Sequence, residues 1–232
     1  MRKLLASILL AAAVTGSAPV LAADLPPPPP YYPPPPDYDL GGSFYLRGSA
    51  AFNALWTREH VFTCDPVCEV NEATAFGYGY SFGGGIGYET GDGLRFDFTG
   101  DYIYNYGLTD GTESLEFQAG LALANAYYDF AFSNDYGTAA GGFGGYVGAG
   151  IGGAYYTTHV VGPDPDPADG TGFTPAVAAM AGVTYDAGDW VGDIGYRIVY
   201  MPTITNGQAD QYPFYLNDNT LQEIRGTVRY RF

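Results

Sequence analysis

Lysine is nearly missing from this chain: Lys3 is the only one, and every later basic residue is an arginine. The 232 residues carry nine basic against 25 acidic side chains, a formal net charge of −16, and only 15% of residues are charged. Neutralising phosphates needs basic patches, so nucleic acid is excluded as a partner. The same deficit excludes electrostatic attachment to an anionic membrane surface and the binding of acidic substrates. Cysteine is reduced to Cys64 and Cys68, in the stretch CDPVC. No histidine stands at metal-ligand spacing from them, which argues against zinc. The pair reads as a short disulfide of an oxidising compartment, the alternative being two free thiols. Histidine is limited to His60 and His159, which fall in expected external loops and in no Ser/His/Asp pattern that could activate a nucleophile. The expectation is therefore a protein that is not an enzyme and holds no cofactor or metal. After the first 22 residues no run of eighteen apolar residues occurs, so a spanning helix is excluded.

What the chain does contain is uneven. Residues 1–22 carry the signature of a secretory signal: Arg2 and Lys3 at the start, an apolar middle from Leu4 to Val14, and Val20-Leu21-Ala22 as a small-residue cleavage site. Residues 23–40 form a leader that includes PPPPPYYPPPP, Pro26 to Pro36. Proline fixes φ and has no N–H for a sheet ladder, so this tract reads as polyproline II. It serves either as a solvated periplasmic leader or as a stiff spacer or groove ligand.

From residue 41 to 232 the sequence, rich in Gly (34), Tyr (22) and Phe (14), becomes a series of period-two segments separated by turn residues. Eight strands are expected: 43–53, 75–88, 94–104, 114 to about 128, about 143–157, 176–185, 190–200 and 220–232. In the second, Phe76, Tyr78, Tyr80, Phe82, Ile86 and Tyr88 share one face against a face of Gly, Ala and Ser. In the fourth, Leu115, Phe117, Ala119, Leu121 and Leu123 are read as the outward face, with Glu116 and Gln118 inward. Its end, Asn125 to Phe130, breaks the alternation and suggests a bulge. In the last, Ile224, Val228, Tyr230 and Phe232 oppose Glu223, Arg225, Arg229 and Arg231.

Side-chain volume decides which face points inward. Eight strands enclose an interior that barely accommodates side chains, so the large aromatic face turned inward would overfill it. Turned outward it meets lipid, with Tyr at the interfaces, and closure becomes compulsory because an open edge in hydrocarbon leaves backbone groups unsatisfied. The expected fold is all-β, an eight-stranded antiparallel up-and-down transmembrane β-barrel. Arg47, Arg95, Arg197 and Arg225 then share the lumen with Asp97, Asp101, Glu116, Asp193 and Glu223. Buried charge must be paired, and the planar fork of arginine suits carboxylates. The expectation is an ion-pair network that plugs the barrel. The competing reading is a polar conduit, since inward Gly and Ala in the second, fifth and sixth strands leave space.

Other patterns carry less. Asp164, Asp166 and Asp169 in PDPDPADG resemble a calcium loop superficially, but Ala168 and Pro175 occupy ligand positions of the EF-hand pattern, and a solvated acidic loop is the better reading. The Gly runs at 83–85 and 141–145 lack the strand–helix context and the Lys of a phosphate loop.

The terminal Arg229-Tyr230-Arg231-Phe232, with Val228, Tyr230 and Phe232 on one face, resembles the closing-strand signal of bacterial outer-membrane barrels. Together with Ala22-Ala23-Asp24-Leu25-Pro26, Phe44-Tyr45-Leu46-Arg47-Gly48, Tyr146-Val147-Gly148-Ala149-Gly150-Ile151-Gly152 and Gly195-Tyr196-Arg197, it makes residues 41–232 similar to the small surface antigens of alphaproteobacterial outer membranes, relatives of the OmpA transmembrane domain and of the porin family. The resemblance implies an outer-membrane location with the leader in the periplasm. It also implies recognition of Val228, Tyr230 and Phe232 by the barrel assembly machinery, and contact with outer-membrane lipid and lipopolysaccharide. The role it implies is structural or antigenic. The alternatives are a small-solute channel, or a binding module whose external loops hold a host or cell-surface ligand, or haem. The proline tract and the cysteine loop depart from the family pattern.

Overall fold

Alternation with period two produces strands, because successive side chains of an extended chain point to opposite faces. The computed structural model describes residues 42–62, 70–71, 75–109, 114–132, 142–161, 169–206 and 214–232, all within the unit Asp39–Phe232. The signal segment 1–22, the proline leader 23–40, Cys64, Cys68, Asp164 and Asp166 lie outside the described residues. The strands are β1 (Ser43–Phe62), β2 (Val70–Asn71), β3 (Ala75–Glu89), β4 (Leu94–Thr109), β5 (Ser114–Ala131), β6 (Gly142–Val161), β7 (Gly170–Asp186), β8 (Trp190–Thr205) and β9 (Phe214–Arg231). The two residues of β2 pair only with the far end of β1. The other eight are antiparallel neighbours in chain order, and β9 returns to pair with β1. The sheet is a closed eight-stranded antiparallel barrel, as the patterning requires.

Closure has a fixed stagger. Directly opposed partners lead from Tyr45 through Gly87, Asp97, Asn125, Gly150, Ala178, Val199 and Leu221 to Leu55, ten residues further along β1. Eight strands with that offset tilt by roughly 40° and place the backbone about 8 Å from the axis. One end of the barrel carries Gly42, Phe232 and the tight connections 90–93 and 187–189, and is called the turn end. The other carries the connections 63–74, 110–113, 162–168 and 207–213, and is called the loop end. At the turn end Gly93 and Gly188 take φ of 97° and 89°, which only glycine adopts readily. A hydrogen bond from the Thr90 hydroxyl, then one from the Leu94 N–H, holds the exposed Asp92 carboxyl below its usual range.

Three expectations are corrected. The strands run further toward the loop end than their alternation: β1 to Phe62, β4 to Thr109, β6 to Val161 and β8 to Thr205, while β7 begins at Gly170 and β9 at Phe214. His159 is therefore an exposed residue of β6 rather than part of a loop. These ends carry turn-type residues such as Asn217-Asp218-Asn219, with Asp218 at φ 55°, and are held extended by their neighbours. The faces of β5 are the reverse of the expectation. Leu115, Phe117, Leu121 and Leu123 are buried in the lumen, and Glu116 lies on the outer wall beside Tyr104. The cause is that β5 is apolar on both faces: its outward set is Ala122, Ala124, Ala126 and Tyr128, and its larger aliphatic set fills the barrel. Its apparent break at Asn125 to Phe130 contains no bulge, since pairing with β6 is continuous there. The irregularity sits in β4 between Asn105 and Leu108, at Gly107 with φ 73°.

Candidate functional site

The lumen is filled in layers along the barrel axis. Nearest the middle, a four-charge ring joins β4, β8 and β9. Arg197 meets Asp101 at 2.7 Å and Glu223 at 2.5 Å; Arg225 meets the other Asp101 oxygen at 2.7 Å and Glu223 at 3.0 Å. Ser81 donates to the free Glu223 oxygen and Arg225 also donates to Ser49 at 2.5 Å. Two guanidinium forks and two carboxylates cancel in charge and satisfy most of one another's bonding positions. Such pairing is what makes the burial of four ions tolerable.

Closer to the turn end, Asp97 is the centre of a second layer. It accepts from Arg47 at 2.7 Å, Tyr45 at 2.9 Å and Asn125 at 2.7 Å. Arg95 grips Asp129 with Nε at 2.8 Å and Nη2 at 3.1 Å, and its guanidinium lies 3.9 Å from the ring centre of Tyr127. Below this, at the rim, Arg229 and Arg231 share Glu89 at 2.5 and 2.7 Å, and Arg231 also reaches Asp186 at 2.7 Å. Asp193 faces Arg229 at 3.5 Å.

On the loop side of the central ring the lumen turns apolar. Ile103 follows Asp101 on β4, Val199 and Met201 follow Arg197 on β8, and Leu221 and Leu216 precede Glu223 on β9. With Leu55, Phe117, Leu121 and Tyr156 they form one buried cluster. Two polar pairs stand among them: Thr57 donates to Asn219 at 2.7 Å, and Asn105 to Asn53 at 2.8 Å.

The inward Gly87, Gly148, Gly172 and Gly195 leave no open space, because tyrosine rings lie over them. A methyl group at Gly87 would collide with Tyr45, at Gly148 with Tyr127, at Gly195 with Tyr146, and at Gly172 with Tyr156. A cavity between Arg47, Tyr146, Arg197 and Arg225, among the described residues, measures about 10 Å³, no more than one water.

The residues expected to share the lumen divide as follows. Arg47, Arg95, Asp97, Asp101, Asp193, Arg197, Glu223 and Arg225 face inward. Glu116 does not, and the ring closes without it. Arg229, Arg231, Glu89, Asp129 and the three tyrosines Tyr45, Tyr127 and Tyr146 were missed as partners. Parity alone would have found Arg229 and Arg231, which share a face with Glu223 and Arg225. Glu89 and Asp129 stand at strand ends, where alternation fades. Val228, Tyr230 and Phe232 project outward from β9, exposed at 51%, 40% and 66%. Asp169 is exposed and contacts His159.

Outside, the wall is banded. Phe44, Phe96, Tyr128, Phe143, Tyr185, Trp190 and Tyr230 ring the turn end, and Trp56, Tyr78, Tyr106, Tyr155 and Tyr200 ring the barrel ten to twelve residues further up. Phe52, Phe82, Phe98, Ile151, Val177, Ile194 and Ile224 lie between them, all exposed. Ten residues at this tilt separate Trp190 from Tyr200 by about 25 Å along the axis.

No protein-family model matches the chain, and no curated protein matches it. Among solved structures, Neisserial surface protein A is 22% identical over 83% of this chain and 99% of its own, with a TM-score of 0.46. OprG from Pseudomonas aeruginosa is 14% identical over 83% of this chain and 97% of its own, at a TM-score of 0.48. Ail, the attachment invasion locus protein of Yersinia pestis, is 13% identical over 81% and 98%, at 0.39. These likenesses concern architecture and carry no activity across; the closed strand register is what establishes the barrel.

Proposed function

We propose that this chain is an integral β-barrel of the bacterial outer membrane, with a structural and surface-antigen role and a lumen that does not conduct. The single observation that carries the reading is the layered filling of the lumen inside a wall whose exposed face is apolar. A wall exposing this much aromatic and aliphatic surface is incompatible with water on both sides. An apolar band of about 25 Å between two aromatic girdles fits a bilayer core. The turn end faces the periplasm, with the leader, and the loop end faces outward, where lipopolysaccharide and host surfaces are met. Outward-pointing Val228, Tyr230 and Phe232 offer the closing strand's apolar face to the assembly machinery. The barrel performs no catalysis.

A solute channel is the competing role, and the cavity of about 10 Å³ opposes it. Single-channel recording in planar bilayers separates the two. The expected trace at neutral pH is silent once insertion is verified by protease protection; steady current would replace this reading with the channel.

A further inference from the structure

Between β7 and β8 the wall parts before the strands end. Their ladder stops at Val177↔Tyr200, yet β7 continues to Gly170 along β6 and β8 continues to Thr205 along β9. Among the described residues, the ladder of every other neighbouring pair of long strands reaches the loop-side end of at least one of them. The register explains the parting. Carried further one residue at a time, it sets Ala176 against Met201 and then Pro175 against Pro202, neither of which has an N–H to give a ladder. Beyond the prolines it would set Gly172 against Thr205, and there a side chain takes the place of the strand. Tyr156, inward on β6, lies against Gly172, where a methyl group would collide with it. Its hydroxyl accepts from the Thr205 N–H at 2.9 Å and donates to the Thr205 carbonyl at 3.2 Å. The lips meet again above, since a methyl group on Gly170 would strike the backbone of Asn206. The result is a window in the wall, with the Tyr156 phenol as its pane.

The window separates two apolar regions. Outside it lies the level of the loop-side girdle, since Tyr200 closes its lower corner and Phe173 on its lip is opposed by Tyr155 of β6. Phe173 leans over Gly153 of β6, away from β8. Inside stands the buried cluster with Val199, Met201, Ile204 and Phe117, and the Phe117 ring lies 5.9 Å from that of Tyr156. Neither lip, 170–176 or 201–205, carries a charged side chain. An ion finds no partner here, whereas an uncharged ring of the phenol's size can take the phenol's place against Phe117. Met201, unbranched, adapts to such a guest more readily than a branched side chain would. Below, the Asp101 ring and the Asp97 layer fill the lumen, so a molecule that enters goes no further.

We propose that this window is a lateral portal, latched by Tyr156, through which a small uncharged aromatic molecule dissolved in the outer leaflet enters the loop-side lumen. The inference rests on the membrane reading above, and the two fail separately. Full-length protein is folded into lipid vesicles and insertion is scored by protease protection. The vesicles are then loaded with trifluoromethyl-phenyl-diazirine, an uncharged aromatic carbene source that dissolves in bilayers, and irradiated. Mass spectrometry maps the label. Absence of protection defeats the membrane reading, and the portal with it. With insertion secured, label is expected on the lipid-facing Ile151 and Val177 and, more weakly, on the inward Met201 and Ile204, but not on Asn125 beside Asp97. Tyr156→Phe keeps the ring and removes both hydrogen bonds to Thr205, and raises label on Met201 and Ile204 relative to Ile151 roughly tenfold. Thr57→Val breaks the Thr57–Asn219 bond in the same apolar half and leaves that ratio unchanged. Inner residues unlabelled in both proteins, a ratio unmoved by Tyr156→Phe, an equal rise with Thr57→Val, or label reaching Asn125 would overturn the portal.

Discussion

Asp101 is the residue on which most of the central ring depends, because its two oxygens each hold a different arginine. Replacing it by asparagine keeps the volume and removes the charge, so that Arg197 and Arg225 are left with Glu223 as their shared carboxylate. Breaking one partner out of a buried ionic cluster costs about 3–5 kcal/mol. Urea unfolding of Asp101→Asn in lipid vesicles is expected to show a loss of that size, and a loss under about 1 kcal/mol would mean that the ring is solvated. Tyrosine and glycine act as complementary pairs at the same scale. Tyr146 can lie across the lumen because Gly195 has no side chain to meet it. A sequence read position by position sees an inward glycine as empty space, and only the distant tyrosine fills it.

At the scale of the strand, β9 carries both the charge ladder and the seam. Glu223, Arg225, Arg229 and Arg231 face the lumen, while Phe232 stands outside and gives only its backbone N–H to the Phe44 carbonyl, at 3.0 Å. Deleting Phe232 should therefore change refolding yield from urea into detergent very little, yet lower the amount of assembled barrel in cells. Heat-shifted electrophoretic mobility measures both, and equal losses in the two settings would remove Phe232 as an assembly signal. Strands such as β3 and β9 were legible because one face is bulky and the other small or charged. β5 was not, since Leu121 and Ala122 are both apolar and only the cross-strand partners Asp101 and Ala154, which line the lumen with Leu121, decide which points inward. The ion ring was legible in its members and illegible in its pairings, which are made between strands as distant in sequence as β4 and β9. Glu116 was misplaced for the same reason as its strand.

Across the whole barrel the fillings stand in series: rim pairs, the Asp97 layer, the Asp101 ring, then the apolar cluster. Each fills its own stretch of the axis. Removing the ring as a unit, with Asp101, Arg197, Glu223 and Arg225 all changed to alanine, leaves no unpaired charge behind and leaves the layers on either side in place. Planar bilayers containing that variant are expected to remain silent. Current from the single-layer variant would show that the ring alone keeps ions out.

The ten-residue stagger also has a mechanical meaning. Because β9 is zipped to β8 on one edge and to β1 on the other, a pull on the carboxyl end must tear two ladders at once before anything yields. Once β9 is out, the hoop is an ordinary sheet with two free edges, and the strands at those edges, β1 and β8, are each held by a long ladder on one side only. Resistance to extraction is therefore concentrated in the first strand removed, and a barrel that has lost its last strand has lost its greatest strength.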